Sequence, residues 1–375
     1  MTHAPVTRAH LTEARMPSPP PAGSLTLVPV VGIGEVVEGA DLATLLVAAL
    51  RASRVEVVPG DCLVVSSKVV SKARGLTWPG DREDAVAAGT VRVVAERRGE
   101  GGRLTQVVEA VAGPVMAAAG VDASNTGPAG TALLLPVDPD AEATSLRHDL
   151  LARLELPSAT ALAVVLSDTA GRPWRDGLTD LAIGSAGLHV LEDLRGASDH
   201  DGRALAVTMR AIADEVAAAA DLVKGKADGI PAALVRGLDP TWFSPTGSGA
   251  RSLVRTGPGD WFATGHVEAV RAALGAAPGT PRAHAVGVPS VRPDESLAER
   301  VGRVIALALL DVPQGSADVG VDDEIGSAEV TLAAPEDYDL GRLVTRCEVA
   351  AHAEGLRATV VGRAPGSVTL EVSPA

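Results

Sequence analysis

The fold is decided most clearly by residues 160–175, which read TALAVVLSDTAGRPWR. The first seven residues, Thr160–Leu166, form a continuous apolar run, which is typical of a strand buried on both faces rather than on one. We expect this strand to stop at Ser167, where polar residues begin. The sequence therefore predicts a buried strand whose end carries Asp168 and Thr169, followed by a turn rich in arginine.

Strand and helix patterns extend in both directions from this segment. Within residues 25–238 we expect strands at Leu25–Val31, Cys62–Ser66 and Ala232–Val235, and helices at Leu42–Ala52, Glu83–Arg98 and Leu146–Leu154. Towards the C-terminus we expect helices at Val267–Leu274, Ser296–Leu310 and Leu340–Glu354, and strands at Glu329–Ala333, Ala358–Val361 and Val368–Val372. The second group indicates a small α+β unit with a core of its own.

The composition divides the chain into four parts. Residues 1–24 are rich in Pro, Ser and charge and lack the apolar core of a signal peptide, so we expect a disordered tail. Residues 25–240 form the main domain, and residues 241–260 form a linker in which Pro, Gly and Ser are frequent. The small α+β domain then occupies residues 261–375. The two cysteines, Cys62 and Cys347, indicate no disulfide framework.

Charge and residue usage exclude several classes of partner. The 375 residues carry a formal net charge of −14, which disfavours binding to nucleic acid. Aromatic residues make up only 2% of the chain, so stacking on bases is also not expected. The longest apolar run, Val304–Leu310, is far shorter than the ~20 residues of a membrane span. We expect a cytoplasmic protein with no membrane partner.

The rarest polar residues form two clusters. Of the 33 basic residues 29 are Arg, and the four lysines are Lys68, Lys72, Lys224 and Lys226. A lysine ammonium is a compact point charge that suits a phosphate group. Lys68 and Lys72 follow an apolar strand in the run Ser66–Lys72, where Ser67 can also donate to a phosphate oxygen. This run is not a Walker A motif, but it indicates a phosphate site.

Carboxylates in two turns indicate a divalent metal. Asp122 lies in a run of turn-forming residues with Asn125, the only asparagine of the chain, and Asp168 and Thr169 follow the buried strand. Such oxygen ligands suit Mg²⁺ or Mn²⁺ when the ion also binds a triphosphate. Arg172 and Arg175 lie just beyond and suit a carboxylate or phosphate group of a substrate. Each aspartate alone is more often structural, since Asp is a common turn former.

Six segments in the correct order resemble the coenzyme F420-0:L-glutamate ligase family, from about residue 25 to 238. They are residues 31–35, 66–72, 119–125, 133–140, 167–175 and 221–226. The resemblance implies GTP-dependent addition of L-glutamate to coenzyme F420-0, a deazaflavin precursor, through γ-linked amide bonds. It also implies a two-part mixed α/β ligase domain, an intertwined homodimer, divalent metal and a supporting K⁺ ion. With the small C-terminal domain, the predicted fold class is α+β.

The resemblance also implies roles for individual residues. It implies GTP contacts at Ile33, Gly34, Glu35, Val36, Ser67, Lys72 and Asn125, to which we add Lys224 and Lys226 from the lysine clusters. It implies metal ligands at Asp122, Asp168 and Thr169. For catalysis we expect Lys72, Arg172 and Arg175 to bind phosphate and substrate carboxylates. This chain departs from the family at Leu178 and Lys226, where relatives usually carry Gln, and at Leu194, where they usually carry Tyr.

Two other hypotheses remain open from the sequence. The chain could be a different ATP- or GTP-dependent ligase that joins a carboxylate and an amine, or a non-catalytic regulatory protein that binds a nucleotide. Some relatives carry a flavin-binding domain after the ligase, and Asp260–Gly265 faintly resembles its start. However, no flavin-phosphate loop follows, and we expect no FMN.

Overall fold

The computed structural model describes residues 23–98, 102–123, 131–225, 228–256, 260–288 and 295–375. Its strands are β1 (Thr26–Pro29), β2 (Asp61–Ser66), β3 (Thr77–Pro79), β4 (Thr90–Arg98), β5 (Leu104–Ala110), β6 (Val115–Ala117), β7 (Thr131–Leu133), β8 (Leu162–Arg172), β9 (Arg175–Ala186), β10 (Glu192–Asp193), β11 (Met209–Arg210), β12 (Ala232–Arg236), β13 (Ser316–Asp322), β14 (Ser327–Ala333), β15 (Leu356–Ala364) and β16 (Ser367–Pro374). Its α-helices are α1 (Leu42–Ala52), α2 (Ser67–Ala73), α3 (Arg82–Ala88), α4 (Pro139–Arg153), α5 (Ile212–Lys224), α6 (His266–Ala273), α7 (Pro281–Ala285), α8 (Leu297–Leu309) and α9 (Asp337–Ala353).

A five-stranded sheet, in the order β1-β12-β2-β8-β9, forms the centre of the first 238 residues. Strands β2 and β8 pair in parallel, and the other neighbours in this sheet pair antiparallel. Parallel pairing requires a long crossover, and here the chain between β2 and β8 includes α2, α3 and α4. The two parallel strands therefore end at the same edge of the sheet.

The central sheet is buried on both faces, as the apolar run at residues 160–166 predicts. On one face, Val164 and Leu166 belong to a core shared with α1, α2 and α4. On the other face, Ala163 and Val165 belong to a second core shared with α5. Because successive side chains of a strand point to opposite faces, one apolar segment fills both cores. The prediction that this segment is buried on both faces is confirmed.

Helices α1 and α4 begin at residues with clear capping chemistry. The Asp41 carboxylate accepts a hydrogen bond from the Thr44 backbone N–H at 3.0 Å, and Asp138 accepts one from the Ala141 N–H at 3.0 Å. Pro139 occupies the first turn of α4, where its missing N–H costs nothing. The predicted helix at Leu42–Ala52 is confirmed, whereas the one predicted at Leu146 begins seven residues earlier because of this cap.

Two predictions about regular structure are wrong. The charged segment Glu83–Arg98 is not one helix, because α3 ends at Ala88 and β4 begins at Thr90. Gly89 separates them, and β-branched residues from Thr90 onwards favour a strand. The buried strand also does not stop at Ser167. It continues to Arg172, because β9 supplies an antiparallel partner along its polar half.

The C-terminal region forms an antiparallel sheet covered by helices, as predicted for a small α+β unit. The sheet has the order β13-β14-β16-β15, and α8 and α9 pack on it around a separate core. Strand β13 and helix α7 were not predicted from the sequence. Helix α8 begins with a capping box between Ser296 and Glu299. No helix of the described residues is long and apolar enough to span a membrane.

The segment around α6 connects this C-terminal core to strand β4. Glu268 is buried, and its carboxylate accepts the backbone N–H of Glu96 at 3.1 Å and forms an ion pair with Arg97. The Gly265 N–H donates to the carbonyl of Val94 at 3.0 Å. Leu274, just after α6, belongs to the C-terminal core. This segment therefore packs against both parts of the molecule.

Buried charges link α6, α8 and the end of α9. The carboxylate of Glu354 accepts hydrogen bonds from Arg271 and, at 2.8 Å, from Arg303. Arg303 also pairs with Glu295 at 2.6 Å. All of these side chains except that of Glu295 belong to residues that are buried as a whole. An ion pair of this kind is costly to break, since the remaining partner keeps a charge in a low-dielectric environment.

We expect Glu354→Ala to destabilise the protein by about 3–5 kcal/mol, because it leaves two buried guanidinium groups without this carboxylate. Urea unfolding followed by circular dichroism measures the change. Glu348→Ala, an exposed carboxylate on α9, is the matched control and should change the free energy of unfolding by less than about 1 kcal/mol. Equal effects of the two substitutions would contradict a structural role for the buried network.

Candidate functional site

The parallel pairing of β2 and β8 places two predicted site residues side by side. Ser66 and Ser167 lie opposite each other in the register, so Ser67 and Asp168 follow at the same edge of the sheet. The Ser67 hydroxyl donates a hydrogen bond to Oδ1 of Asp168 at 3.1 Å. These residues are 101 positions apart in the chain, and only the crossover between the strands brings them together.

The carboxyl group of Asp168 has a strongly altered acidity. Burial, which is the largest cause, and the charges of Asp180 and Asp122 together raise the pKa of this carboxyl from its ordinary value of 3.8 to about 6. Hydrogen bonds from the Ser67 hydroxyl and the Thr169 N–H act in the opposite direction. No Lys or Arg among the described residues forms an ion pair with Asp168. Negative charge is therefore concentrated at this edge without a direct counter-charge on Asp168.

A buried lysine and a buried aspartate lie beside Asp168, on the α5 side of the sheet. The ammonium of Lys224 donates to Oδ2 of Asp180 at 2.6 Å and to the hydroxyl of Ser167 at 2.8 Å. The hydroxyls of Ser167 and Thr169 also donate to Asp180, at 2.8 and 2.7 Å. Burial raises the pKa of Asp180, but Lys224 and these hydroxyl groups outweigh it and hold the pKa below 3.8.

The side chains of successive residues of β8 therefore form hydrogen bonds with different partners. Asp168 contacts Ser67 at the start of α2, whereas the side chains of Ser167 and Thr169 contact Asp180. This separation follows from the alternation of side chains along a strand. For Asp168 and Thr169 to share one ion, Thr169 would have to contribute its main-chain oxygen.

The two lysines of α2 both form ion pairs. Lys68 pairs with Asp122 at 2.5 Å, and Lys72 pairs with Glu35 at 2.5 Å. The first pair ties α2 to the turn at Asp122, and the second ties α2 to the loop of residues 33–36. The lysine cluster near residue 70 and the two predicted carboxylate positions thus lie around one helix. Lys224 of the second cluster donates a hydrogen bond to Ser167, the residue that precedes Asp168 in β8.

The loop of residues 33–36 presents mainly its backbone. The side chains of Ile33 and Val36 are buried in the core, so only their main-chain groups can meet a ligand. Gly34 has a φ of 73°, in the left-handed region that favours glycine, and space for a Cβ is open there. Glu35 is exposed and is held through Lys72. The predicted role of this loop in nucleotide binding stays a prediction.

The predicted arginines lie further away. Arg172 and Arg175 pair at the tip of the β8–β9 hairpin, and Arg172 is about 13 Å along the strand from Asp168 at ~3.3 Å per residue. Arg172 donates to the carbonyl of Asp176 at 3.1 Å, and Arg175 is exposed. The structure does not place either guanidinium against Asp168. Asn125 and Lys226 lie outside the described residues.

Sequence reasoning missed Asp180 and Ser167. Pro173 and Trp174 mark a turn, and folding the chain there would have placed a strand carrying Asp180 beside Thr169. The register itself could not be read from the sequence, because irregularities in pairing occur near Leu166 and Gly171. The pairing of the buried carboxylate of Asp180 with Lys224 could therefore be recognised only from the tertiary structure.

The residues at this edge fit a divalent ion that is completed by a phosphate ligand. Among the described residues no group of three or more His, Cys, Asp or Glu side chains could hold a metal by itself. Mg²⁺, however, commonly binds one or two carboxylates together with phosphate oxygens and water. Asp168 has no cationic partner in the described part of the chain, and Asp122 is near enough to raise its pKa. This donor set suits such an ion.

We expect Lys224→Met to destabilise the protein by about 3–5 kcal/mol at neutral pH, because Asp180 stays buried without its counter-charge. Lys72→Met is the matched control, since Lys72 pairs with an exposed carboxylate, and its cost should be below about 1 kcal/mol. Unfolding by urea measures both. Adding Asp180→Asn to Lys224→Met should recover part of the loss.

The same pair predicts the pH dependence of stability. The pKa of Asp180 is lowered on folding, so its ionised form stabilises the wild type above pH 3.8 and this stabilisation is lost as the pH falls further. The difference between wild type and Lys224→Met should therefore shrink on acidification. A difference that stays constant down to pH 3 would contradict the assignment.

Comparison with known proteins places this site within a family. The model of the family described as F420-0:gamma-glutamyl ligase matches residues 31–237, which include the central sheet from β2 to β12 and every described residue of the site. The coenzyme F420:L-glutamate ligase of Methanothermobacter thermautotrophicus is 35% identical over 249 residues, which are 62% of this chain and 96% of the relative.

Two further relatives carry the same name. The protein of Methanopyrus kandleri is 37% identical over 243 residues, covering 60% of this chain and 92% of its own length. That of Halobacterium salinarum is 39% identical over 228 residues, covering 55% and 84%. The similarity thus extends over most of each relative, and the family model covers more than half of this chain. This chain belongs to the F420-0:gamma-glutamyl ligase family.

Proposed function

We propose that this protein is a GTP-dependent ligase that adds L-glutamate to coenzyme F420-0 through γ-linked amide bonds. The observation that carries the proposal is the meeting of Ser67, Asp168 and the lysines of α2 at one sheet edge within the matched region. The name shared by the relatives supports the substrates. Chemistry of this kind needs groups that hold a triphosphate close to a carboxylate, and this edge offers them.

The nucleotide would lie between α2 and the loop of residues 33–36. Lys72 and Lys68 are ammonium groups on adjacent turns of α2, and Ser67 supplies a hydroxyl at its start. Each lysine now neutralises a carboxylate, and a triphosphate would compete for the same charges. The open space at Gly34 permits close approach of a ligand to the backbone. We assign Ser67 and Lys72 to phosphate binding.

The reaction would proceed in two steps. In the first, a carboxylate oxygen of the acceptor forms a bond to the γ-phosphorus of GTP, the bond to GDP breaks, and an acyl phosphate results. In the second, the amine of glutamate attacks the acyl carbon, phosphate leaves with the bonding electrons, and the amine loses a proton. Lys72 would stabilise the charge on the transferring phosphoryl group. Arg172 or Arg175, at the tip of the β8–β9 hairpin, would bind a carboxylate or phosphate group of the acceptor.

Asp122, Asp168 and the main-chain oxygen of Thr169 would hold Mg²⁺ or Mn²⁺. A bound divalent ion would act as a Lewis acid and neutralise charge on the phosphates. Asp168 supports this assignment because its carboxylate has only Ser67 and a backbone N–H as partners among the described residues. The family resemblance further leads us to propose a supporting K⁺ ion and a homodimer.

We expect the purified protein to release GDP and phosphate only when coenzyme F420-0 and L-glutamate are both present with Mg²⁺ or Mn²⁺. Mass spectrometry should detect the glutamylated product. A product formed only with a different acceptor would favour another carboxylate–amine ligase. Tight GTP binding without turnover under any of these conditions would favour a regulatory protein and contradict the proposal.

We expect Asp168→Asn to lower kcat on the order of 10²–10³-fold, because a neutral amide would bind the metal and stabilise transferring phosphate poorly. A chelator should abolish turnover of the wild type, and excess Mg²⁺ should restore it. Asp193→Asn, an exposed aspartate outside this edge, is the control and should retain normal turnover. Near-native turnover by Asp168→Asn would show that this carboxylate is not part of the reaction.

A further inference from the structure

Exposed aromatic side chains gather at the tip of the β8–β9 hairpin. The whole chain has only seven aromatic residues. Trp174 at the hairpin tip packs edge-on against Phe262, with ring centroids 4.9 Å apart and an interplanar angle of 66°. Trp261 precedes Phe262 in the chain. We call this contacting pair, together with the neighbouring residue Trp261, the aromatic tip (Trp174, Trp261 and Phe262).

The side chains of the aromatic tip contribute little to the hydrophobic core, because they are largely exposed. Trp174 is 83% exposed, Trp261 is 76% exposed and Phe262 is 50% exposed. Trp174 also has a φ of 56°, a left-handed conformation that is rare for a bulky side chain. Strained residues with large exposed side chains are more typical of binding sites than of packing. Apolar faces left in water at this cost indicate a ligand.

Positive charge surrounds these rings although the chain as a whole is acidic. The guanidinium of Arg255 lies 4.7 Å from the ring centroid of Trp261. Arg172 and Arg175 flank Trp174, and Nε of Arg172 has no hydrogen-bond partner in the described structure. Flat aromatic faces next to guanidinium groups suit a planar heterocycle that carries a phosphate.

The hairpin joins this surface to the proposed reaction site. Trp174 lies six residues beyond Asp168 on the same hairpin, about 20 Å away at ~3.3 Å per residue. An acceptor with a flat ring at one end and a reactive carboxylate at the other could follow the hairpin between them. Leu178, which is 69% exposed, adds an apolar side chain on β9.

We infer that the aromatic tip binds the planar deazaflavin ring of the acceptor while its carboxylate reaches the edge at Asp168. This inference rests on the proposed function, because it assigns a second part of the same substrate site. Phe262 and Trp261 lie beyond residue 237, where the family match ends. The C-terminal segment thus supplies part of the acceptor site, in addition to its own folded core.

Direct binding of coenzyme F420-0 in the absence of GTP tests the inference. The fluorescence of its ring is titrated with the wild type and with Trp174→Ala, Phe262→Ala and Trp174→Phe. We expect each alanine variant to raise the Kd for F420-0 about ten-fold or more, and Trp174→Phe to keep most of the affinity. In turnover assays the KM for F420-0 should rise while the KM for GTP stays unchanged.

Tyr338→Ala is the matched control, because Tyr338 is 79% exposed on α9 and lies outside the aromatic tip. Unchanged F420-0 affinity in both alanine variants would overturn the inference and leave the proposed function intact. An altered molecular mass by analytical ultracentrifugation, without altered affinity, would show instead that the tip is a contact between copies of the chain. A wild type that binds GTP but not F420-0 would refute the proposed function itself.

Discussion

The parallel pairing of β2 and β8 is the constraint on which the rest of the molecule depends. It aligns Ser66 with Ser167, so that the residues that follow them, Ser67 and Asp168, form a hydrogen bond at the edge of the sheet. Because β8 is buried on both faces, it cannot shift by one residue without moving its apolar side chains into the wrong core. The packing of β8 in the two hydrophobic cores therefore helps to fix the position of Asp168. The geometry of the candidate site therefore depends on the packing of β8 in the hydrophobic cores.

Charge at this edge is arranged differently on the two sides of the sheet. On the α5 side, the carboxylate of Asp180 is satisfied by Lys224 and by two hydroxyl groups, so it is structural. On the α2 side, Asp168 has hydrogen bonds but no ion pair with any of the residues that the structure describes, and burial raises its pKa. The buried pair of Lys224 and Asp180 neutralises charge on β9 directly beside the candidate site. A cation and phosphate groups are what the unbalanced side would attract.

The C-terminal region has a hydrophobic core of its own, but it also contacts the first part of the chain. Its first segment packs on β4 through the buried Glu268, and it carries Phe262 to the hairpin tip beside Trp174. A contact between an aromatic residue of the family region and one beyond it joins the two regions at the surface.

Local sequence determined much of this protein. The apolar run at residues 160–166, the caps of α1 and α4 and the alternation in the C-terminal strands set most elements, because propensity and periodicity act over a few residues. The scarce lysines and the aspartates indicated a candidate site from the sequence alone. Only tertiary structure decided that β8 runs on to Arg172, that Lys224 pairs with Asp180, and that Trp174 meets Phe262. Those outcomes depend on strand register and on contacts between residues 44 and 88 positions apart, for which no local pattern carries information.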